Sequence, residues 1–490
     1  MIRFSCSLAN LKSRERPLGA VAVLSAVGEE LMEKLMGAWL EKGASYVECR
    51  AELTRSTTIE IRDEVVRRLD FGISTGLALR ALVGGKVHFM TFALDEANEL
   101  RAREEKVMPD KAWMIRSSLA EVEPVEDEVV VEAKEPPSEV PVEDKMSLAL
   151  EAHRACSREG VKTTSTIYMD FTVEKHIRTS EGADVRMILP YALVRHEVTA
   201  KVEGRLNSHR VVWGILGGFE LLDRDGILRM SEEAGEKAVE GAKARKCPSG
   251  EFRVLLDGDL NHLLAHEALG HGAEADSLRI GSMLKGKMGK HVGSPLINVV
   301  DDGRFELGGV RGFGWIPYDD EGVPTGRTVI IERGVLTSYM TDRITASEFG
   351  LPLTGNARAQ SWAHPPIVRM RNTFIEPSSP EDAMSNEELL EVLGDGLLLR
   401  TGRGGQVDPI RGTFTFGVQE VYRVEGGEIT ERLSNTSISG NILLVLRRIS
   451  AIGREFDEPQ FSAGFCGKQM QRVPVGTSGP WLLVEGLLVG

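Results

Sequence analysis

Cysteine is scarce in this 490-residue sequence, and what there is does not cluster: Cys6, Cys49, Cys156, Cys247 and Cys466 are odd in number and never fall in C-x-x-C spacing. A disulfide framework and a self-contained cysteine zinc finger are thereby excluded, and a reducing, cytoplasmic setting is expected. Long apolar runs are missing too. Nothing approaches the roughly 20 consecutive apolar residues of a membrane-spanning helix, so no membrane association is expected. Positive charge is in deficit: 59 Lys and Arg stand against 73 Asp and Glu, a formal net charge of -14. A nucleic-acid-binding surface calls for a local basic cluster, and none offsets this balance, so nucleic acid is not an expected partner.

What is present is the composition of an ordinary globular protein, 42% hydrophobic and 27% charged, with room for about two to four domains at roughly 150 residues each. Residues 1–22 run from a basic stretch towards the short apolar segment "GAVAVLSAV", the order of a secretory signal. Because that segment merges into the helix-like "GEELMEKLMGAWLEKG", it is read as an N-terminal extension. From residue 44, "ASYVECRAELTRSTTIEIRDEVVRRLDFGISTGLALRALVGGKVHFMTF" alternates apolar and polar residues between Gly-marked turns, which predicts antiparallel strands. A helix is expected at "LDEANELRAREEKVM", followed by an exposed acidic linker over 121–144, rich in Glu and Pro. The order then repeats, with "MSLALEAHRACSREG" as helix and strands from "VKTTSTIYMDF" onward, suggesting two similar α+β units. A long helix, "SEEAGEKAVEGAKARK", follows, and the remainder is strand-rich with one more helix at "NEELLEVLGDGLLL". The expected fold class is therefore α+β: an N-terminal α+β domain over 23–228 and a β-rich C-terminal domain over 229–490 that carries a metal-site helix.

That helix contains "HEALGHG", residues 266 to 272. It opens like the zinc-protease signature H-E-x-x-H, in which two histidines four apart stand roughly 40° apart around a helix and reach one ion while the Glu between them serves as base. Here His266 and His271 are five apart, and a regular helix would separate them by roughly 140°. They can share an ion only where the helix ends or bulges. Gly270 and Gly272 are suited to a left-handed turn or a π-bulge, so the departure is expected between Ala268 and Gly272. A rival pairing, His262 with His266, has the regular spacing but leaves Glu267 outside the pair, which corresponds to no hydrolase arrangement. The plain alternative to all of these is a polar pair on a helix surface.

A hydrolytic zinc site takes three protein ligands and leaves a fourth position open. Candidates for the third are Glu274, Asp276, His291, His364 and Cys466. Cys466 lies between Gly464 and Gly467, where the backbone can approach an ion, and Lys468 nearby would favour its thiolate. A buried small residue is what most free cysteines are.

Three blocks, "LLAHEALGHGAEAD", "TGNARAQSWAHPPIVRMRNTFIEP" and "FCGKQMQRVPVGTSGPWLLVEG", resemble in order and separation the motifs of the TldD branch of the TldD/PmbA family, also called modulators of DNA gyrase. A weaker similarity extends upstream through "TSEGADVR" and "CPSGEFRVLLD" to the strands after Gly43, while the N-terminal extension and the tail "PWLLVEGLLVG" depart from the family pattern. The resemblance implies a zinc metallopeptidase in which His266, His271 and Cys466 hold Zn2+ and Glu267 is the catalytic base. It also implies unstructured or modified peptides as substrates, and pairing as a homodimer or with a metal-free TldE/PmbA-like subunit. Two other functions stay open: a non-catalytic regulatory binding protein of the gyrase-modulator type, and a thiol hydrolase with Cys466 as nucleophile. For a peptide bound by strand addition, the segments around "NTFIEP" and "TFTFGVQEVYRVEGG" are the candidate edges.

Overall fold

The computed structural model describes residues 19–93, 113–114 and 118–490. The helix expected at 94–108 and most of the N-terminal extension lie outside them. The alternation in the first half builds one large sheet. Helix Gly19–Glu41 leads into strands Tyr46–Arg62, Val65–Val83 and Lys86–Ala93; helix Val142–Ala155 leads into Val161–Thr179, Asp184–Val202 and Arg205–Leu216. The two units stand side by side because their first strands pair antiparallel, with Glu52 opposite Lys175 and Ile59 opposite Tyr168.

The period of two along each strand divides the sheet into two faces. Ile59, Tyr168, Ala192 and Val194 pack under helix Val142–Ala155 and under helix Arg224–Lys243, through Leu148 of the first and Ile227 of the second. Met169, Phe171, Tyr191 and Leu193 belong to the opposite face. Residues 121–144 are not simply an exposed linker. Glu126–Val130 adds a parallel strand beside Asp184–Ile188, concealed in the sequence because its outward side chains are mostly charged. Helix Arg224–Lys243 runs through positions 228 and 229, where a domain boundary was expected, and packs on this first sheet.

The second half is organised around a ring of strands. Gly250–Leu256, Gly396–Asp408, Thr413–Glu425, Thr436–Asn441 and Pro480–Val489 each bond to the next, and Pro480–Val489 pairs back onto Gly250–Leu256. The helix expected through residue 399 stops at Leu393, because Gly394 turns the chain with φ 62° and strand Gly396–Asp408 begins two residues later. Leu264, Leu269, Leu399, Phe416 and Leu482 share the core of this half. Neither candidate edge is free for a peptide. Thr413–Glu425 has partners on both sides. On Thr373–Pro377, Asn261 exchanges two hydrogen bonds of 2.8 Å with the backbone of Ile375. No helix among the described residues is long and apolar enough to cross a membrane.

Candidate metal centre

The helix bearing the histidines begins where the first strand of the ring ends. Asp257 caps it, accepting from Leu260 N at 2.9 Å. Gly258–Leu263 is α-helical, Leu264–Gly270 is a π-helical turn, one α turn follows at His271–Ala273, and Glu274 leaves the helix with ψ 119°. Hydrogen bonds in a π turn run from residue i to i+5, so residues five apart come to lie one above the other. His266 and His271 accordingly face each other, ring centroids 5.4 Å apart. The departure from α geometry starts at Leu264, earlier than expected. Nor does Gly270 adopt a left-handed turn: its φ is -56°. A Cβ on it would stand 2.0 Å from Met370 Sδ, so what this glycine permits is close packing.

Cys466 arrives from a separate hairpin, Gly464–Lys468 paired with Gln471–Val475. Fully buried Arg369 grips both strands, donating to Cys466 O at 2.6 Å and to Gln471 O at 3.3 Å. Cys466 Sγ stands 3.6 Å from His271 Nε2. The ligand atoms of His266, His271 and Cys466 all lie within 4.8 Å of one another, and no other such group of three occurs among the described residues. Tetrahedral ligands about 2.0–2.3 Å from an ion stand roughly 3.3–3.8 Å apart, so the cluster fits a single metal. An independent observation agrees with that fit. The ring nitrogens of buried His266 have no hydrogen-bond partner outside the cluster, where Cys466 faces them, an arrangement a folded protein rarely tolerates without a ligand or water.

The electrostatics favour the ligating form of the cysteine. Burial pushes the Cys466 thiol up, yet His266 and His271 bring it down to about 5, so it is a thiolate at neutral pH. Burial also disfavours a charged His271, but the Glu274 carboxylate, 3.0 Å from Nδ1, outweighs it and raises that group. Glu274, despite its own burial, is held down to about 2 by Lys468 and then by His271. Lys468 Nζ lies 3.0 Å from Glu274 and 2.7 Å from Asp276. Lys468 therefore acts through these two carboxylates, and the histidines, not Lys468, hold the thiolate. Glu274 and Asp276 are engaged and are not part of the cluster. His291 is exposed and bridges to Val335, and the His364 ring meets Ser361 Oγ at 2.9 Å. His262, whose Nδ1 is bonded to Thr373 O at 2.8 Å, is not among the residues whose ligand atoms converge, so the rival pairing does not form the cluster.

With Nδ1 held by Glu274, His271 presents Nε2 to the cluster, the arrangement in which a carboxylate orients a ligating imidazole. If the cluster holds a metal, Glu274→Gln is expected to weaken its binding by roughly 10- to 100-fold, measured with zinc by competition with a chromophoric chelator. Parental affinity in that variant would show that Glu274 does not orient the ligand.

Glu267 Oε2 is 3.7 Å from His271 Nε2, and its side chain is 32% exposed. It opens, with His266 and Cys466, into a cavity of about 1460 Å³ whose other wall is the Met169, Phe171 and Tyr191 face of the first sheet. Sequence reasoning overlooked Arg369. The visible signal was three arginines, Arg358, Arg369 and Arg371, within one block whose only acidic residue is Glu376; all three are buried.

Three family models match the chain: PmbA/TldA metallopeptidase domain 1 over residues 47–106, the central domain over 135–242, and the C-terminal domain over 249–490. The chain belongs to the PmbA/TldD metallopeptidase family. Within the family, a metalloprotease of Methanothermobacter thermautotrophicus is 36% identical over 459 residues, 92% of this chain and 96% of that one. A zinc metalloprotease TldD homolog of Saccharolobus solfataricus is 30% identical over 462 residues, 92% of this chain and 97% of its own length. The crystal structure of TldE from Thermococcus kodakarensis shares the fold, with a TM-score of 0.69 at 19% identity over 95% of this chain and 100% of that one. The family and its named members place this chain among the metalloproteases.

Proposed function

We propose that the protein is a zinc-dependent peptidase that hydrolyses peptide bonds in unstructured or modified peptides, with His266, His271 and Cys466 as metal ligands and Glu267 as general base. The observation that carries this reading is the convergence of two imidazoles and a thiolate within 4.8 Å, from elements almost 200 residues apart. When bound, zinc supplies Lewis acidity, polarising the scissile carbonyl and acidifying a nearby water. The chain's own groups supply the rest. Glu274 fixes the ring orientation of His271, and Arg369 fixes the backbone from which Cys466 projects. Glu267, 3.7 Å from His271 Nε2, reaches into the cavity, where it can accept a proton from water and pass it to the leaving amine. A space of about 1460 Å³ exceeds the roughly 300–1,000 Å³ of small-molecule pockets and suits an extended peptide.

The contact between Cys466 and His271 is also one a thiol hydrolase would show. The second imidazole facing Cys466, that of His266, favours the metal, since a thiol hydrolase needs one; the carboxylate behind His271 would serve either reading. Purified protein is expected to carry about one zinc per chain, and a chelator should abolish cleavage of a panel of unstructured peptides until zinc is restored. Cys466→Ser, which exchanges a soft anionic ligand for a weak neutral one, should lose zinc first and activity as a consequence. Full activity in metal-free protein would overturn the zinc reading and make Cys466 the nucleophile.

A further inference from the structure

The wall of the cavity facing the metal cluster carries charge that hydrolysis leaves unused. On the paired strands Asp184–Val202 and Arg205–Leu216, Arg195 lies opposite Val212 and Glu197 opposite Arg210. Arg195 and Arg210 are therefore diagonal neighbours on one face, and both line the cavity. Arg472 enters from the Cys466 hairpin. It is paired with Gly467, next to the pairing of Cys466 with Val473, and its guanidinium lies 5.6 Å from the Phe465 ring centre. Arg195 registers both neighbours: after burial, the charges of Arg210 and then Arg472 push its guanidinium below its ordinary value, against the pull of Glu197 and Glu60.

What distinguishes these three is that no carboxylate is bonded to them: Glu197 and Glu60 act on Arg195, and Arg210 on buried Asp259, only at a distance. Other cations around the cavity are engaged, Lys175 with Asp320 at 2.7 Å, Lys237 with Glu420 at 2.9 Å and Arg403 with Glu197 at 2.8 Å. The guanidinium groups of Arg195, Arg210 and Arg472 make no ion pair and no hydrogen bond among the described residues. Like charges gathered without a bonded partner repel one another, and their donors are left open to a ligand from outside the chain. A guanidinium presents a planar fork of donors that fits a carboxylate, and in a chain of net charge -14 such a cluster is what an acidic ligand needs to overcome the general repulsion.

We propose that Arg195, Arg210 and Arg472 form a carboxylate-binding subsite, so that the cavity selects peptides bearing an acidic side chain or a free C-terminal carboxylate. The peptide's fate rests on the peptidase reading, but its binding does not require hydrolysis. The test is therefore a binding measurement on full-length, zinc-loaded Glu267→Gln protein, by fluorescence anisotropy, with mass spectrometry following the peptide. Four labelled peptides of one unstructured sequence serve as probes: Asp or Asn at the central positions, each with a free or an amidated C-terminus. The charged forms should bind roughly tenfold tighter than the neutral amidated form, with the gap narrowing as salt rises. A preference that follows Asp assigns the site to side chains; one that follows the free terminus assigns it to chain ends. Both support the subsite. An Arg195→Gln/Arg210→Gln variant, and separately Arg472→Gln on its exposed hairpin, should lose the preference while the neutral peptide binds as before, which also verifies that the fold is intact. Equal affinity for all four peptides, or a preference that survives both variants, would overturn the proposal. Failure of the parent protein to cleave any peptide would instead strike the peptidase reading and leave this measurement standing.

Discussion

Glu267→Gln is expected to keep its zinc and to lose peptide cleavage by at least about 10²-fold, the usual scale for an absent general base. The side chain is not among the three groups whose ligand atoms converge, so removing its charge leaves that set complete. It does stand at the mouth of the cluster, 3.7 Å from His271 Nε2, and it is 32% exposed where a substrate would arrive. The amide retains the shape and hydrogen-bonding reach of the carboxylate but cannot accept a proton at neutral pH. Metal content and turnover therefore separate in this variant, whereas they fall together when a ligand is replaced. Zinc analysis and single-turnover cleavage of one peptide suffice as the measurement. Normal cleavage with zinc in place would remove Glu267 from the role of base.

Asp301→Ala is expected to destabilise the protein by about 3–5 kcal/mol, the cost of leaving a buried charge without its partner. Asp301 and Arg371 are both fully buried and 2.7 Å apart. The same carboxylate accepts from Arg371 N, Asn356 Nδ2 and Thr373 Oγ1, each at 2.8 Å. It thus fastens the segment that sends Arg369 to the backbone of Cys466 and offers the Thr373 carbonyl to His262. Chemical denaturation of the variant should show the loss, and zinc affinity should weaken with it even though Asp301 touches no ligand. A variant within about 1 kcal/mol of the parent would mean that the pair is replaceable by packing alone.

The two histidines that come together stood out from their motif, whereas Cys466 was singled out among five candidates for the third position only by the family resemblance. The strands of the first sheet were legible because one face is buried and the alternation is clean, as along Val161–Thr179. Less visible was whatever depends on partners far away in the chain. Glu274 and Asp276 read as spare ligands, since the lysine that engages them lies 192 residues beyond Asp276. The early start of the π turn has no local mark, because Leu264 and Ala265 are equally at home in an α-helix. Glu126–Val130 was hidden by its charges, and Thr413–Glu425 read as an edge because nothing within the strand tells whether one neighbour or two will pair with it.

The ring of strands has a bearing on how the protein comes to be folded. Its closing contact joins Val484 to Val254, so about 230 residues must be gathered before the last pairing repays the entropy of bringing its ends together. Until then the helix beneath Leu482 and Leu399 has no complete core to rest on, and Cys466 has no fixed position opposite the histidines. Assembly of the metal-binding half is thus a late and slow event, set by the chain's topology. On the proposed reading, zinc would have nothing preformed to bind while the ring stands open.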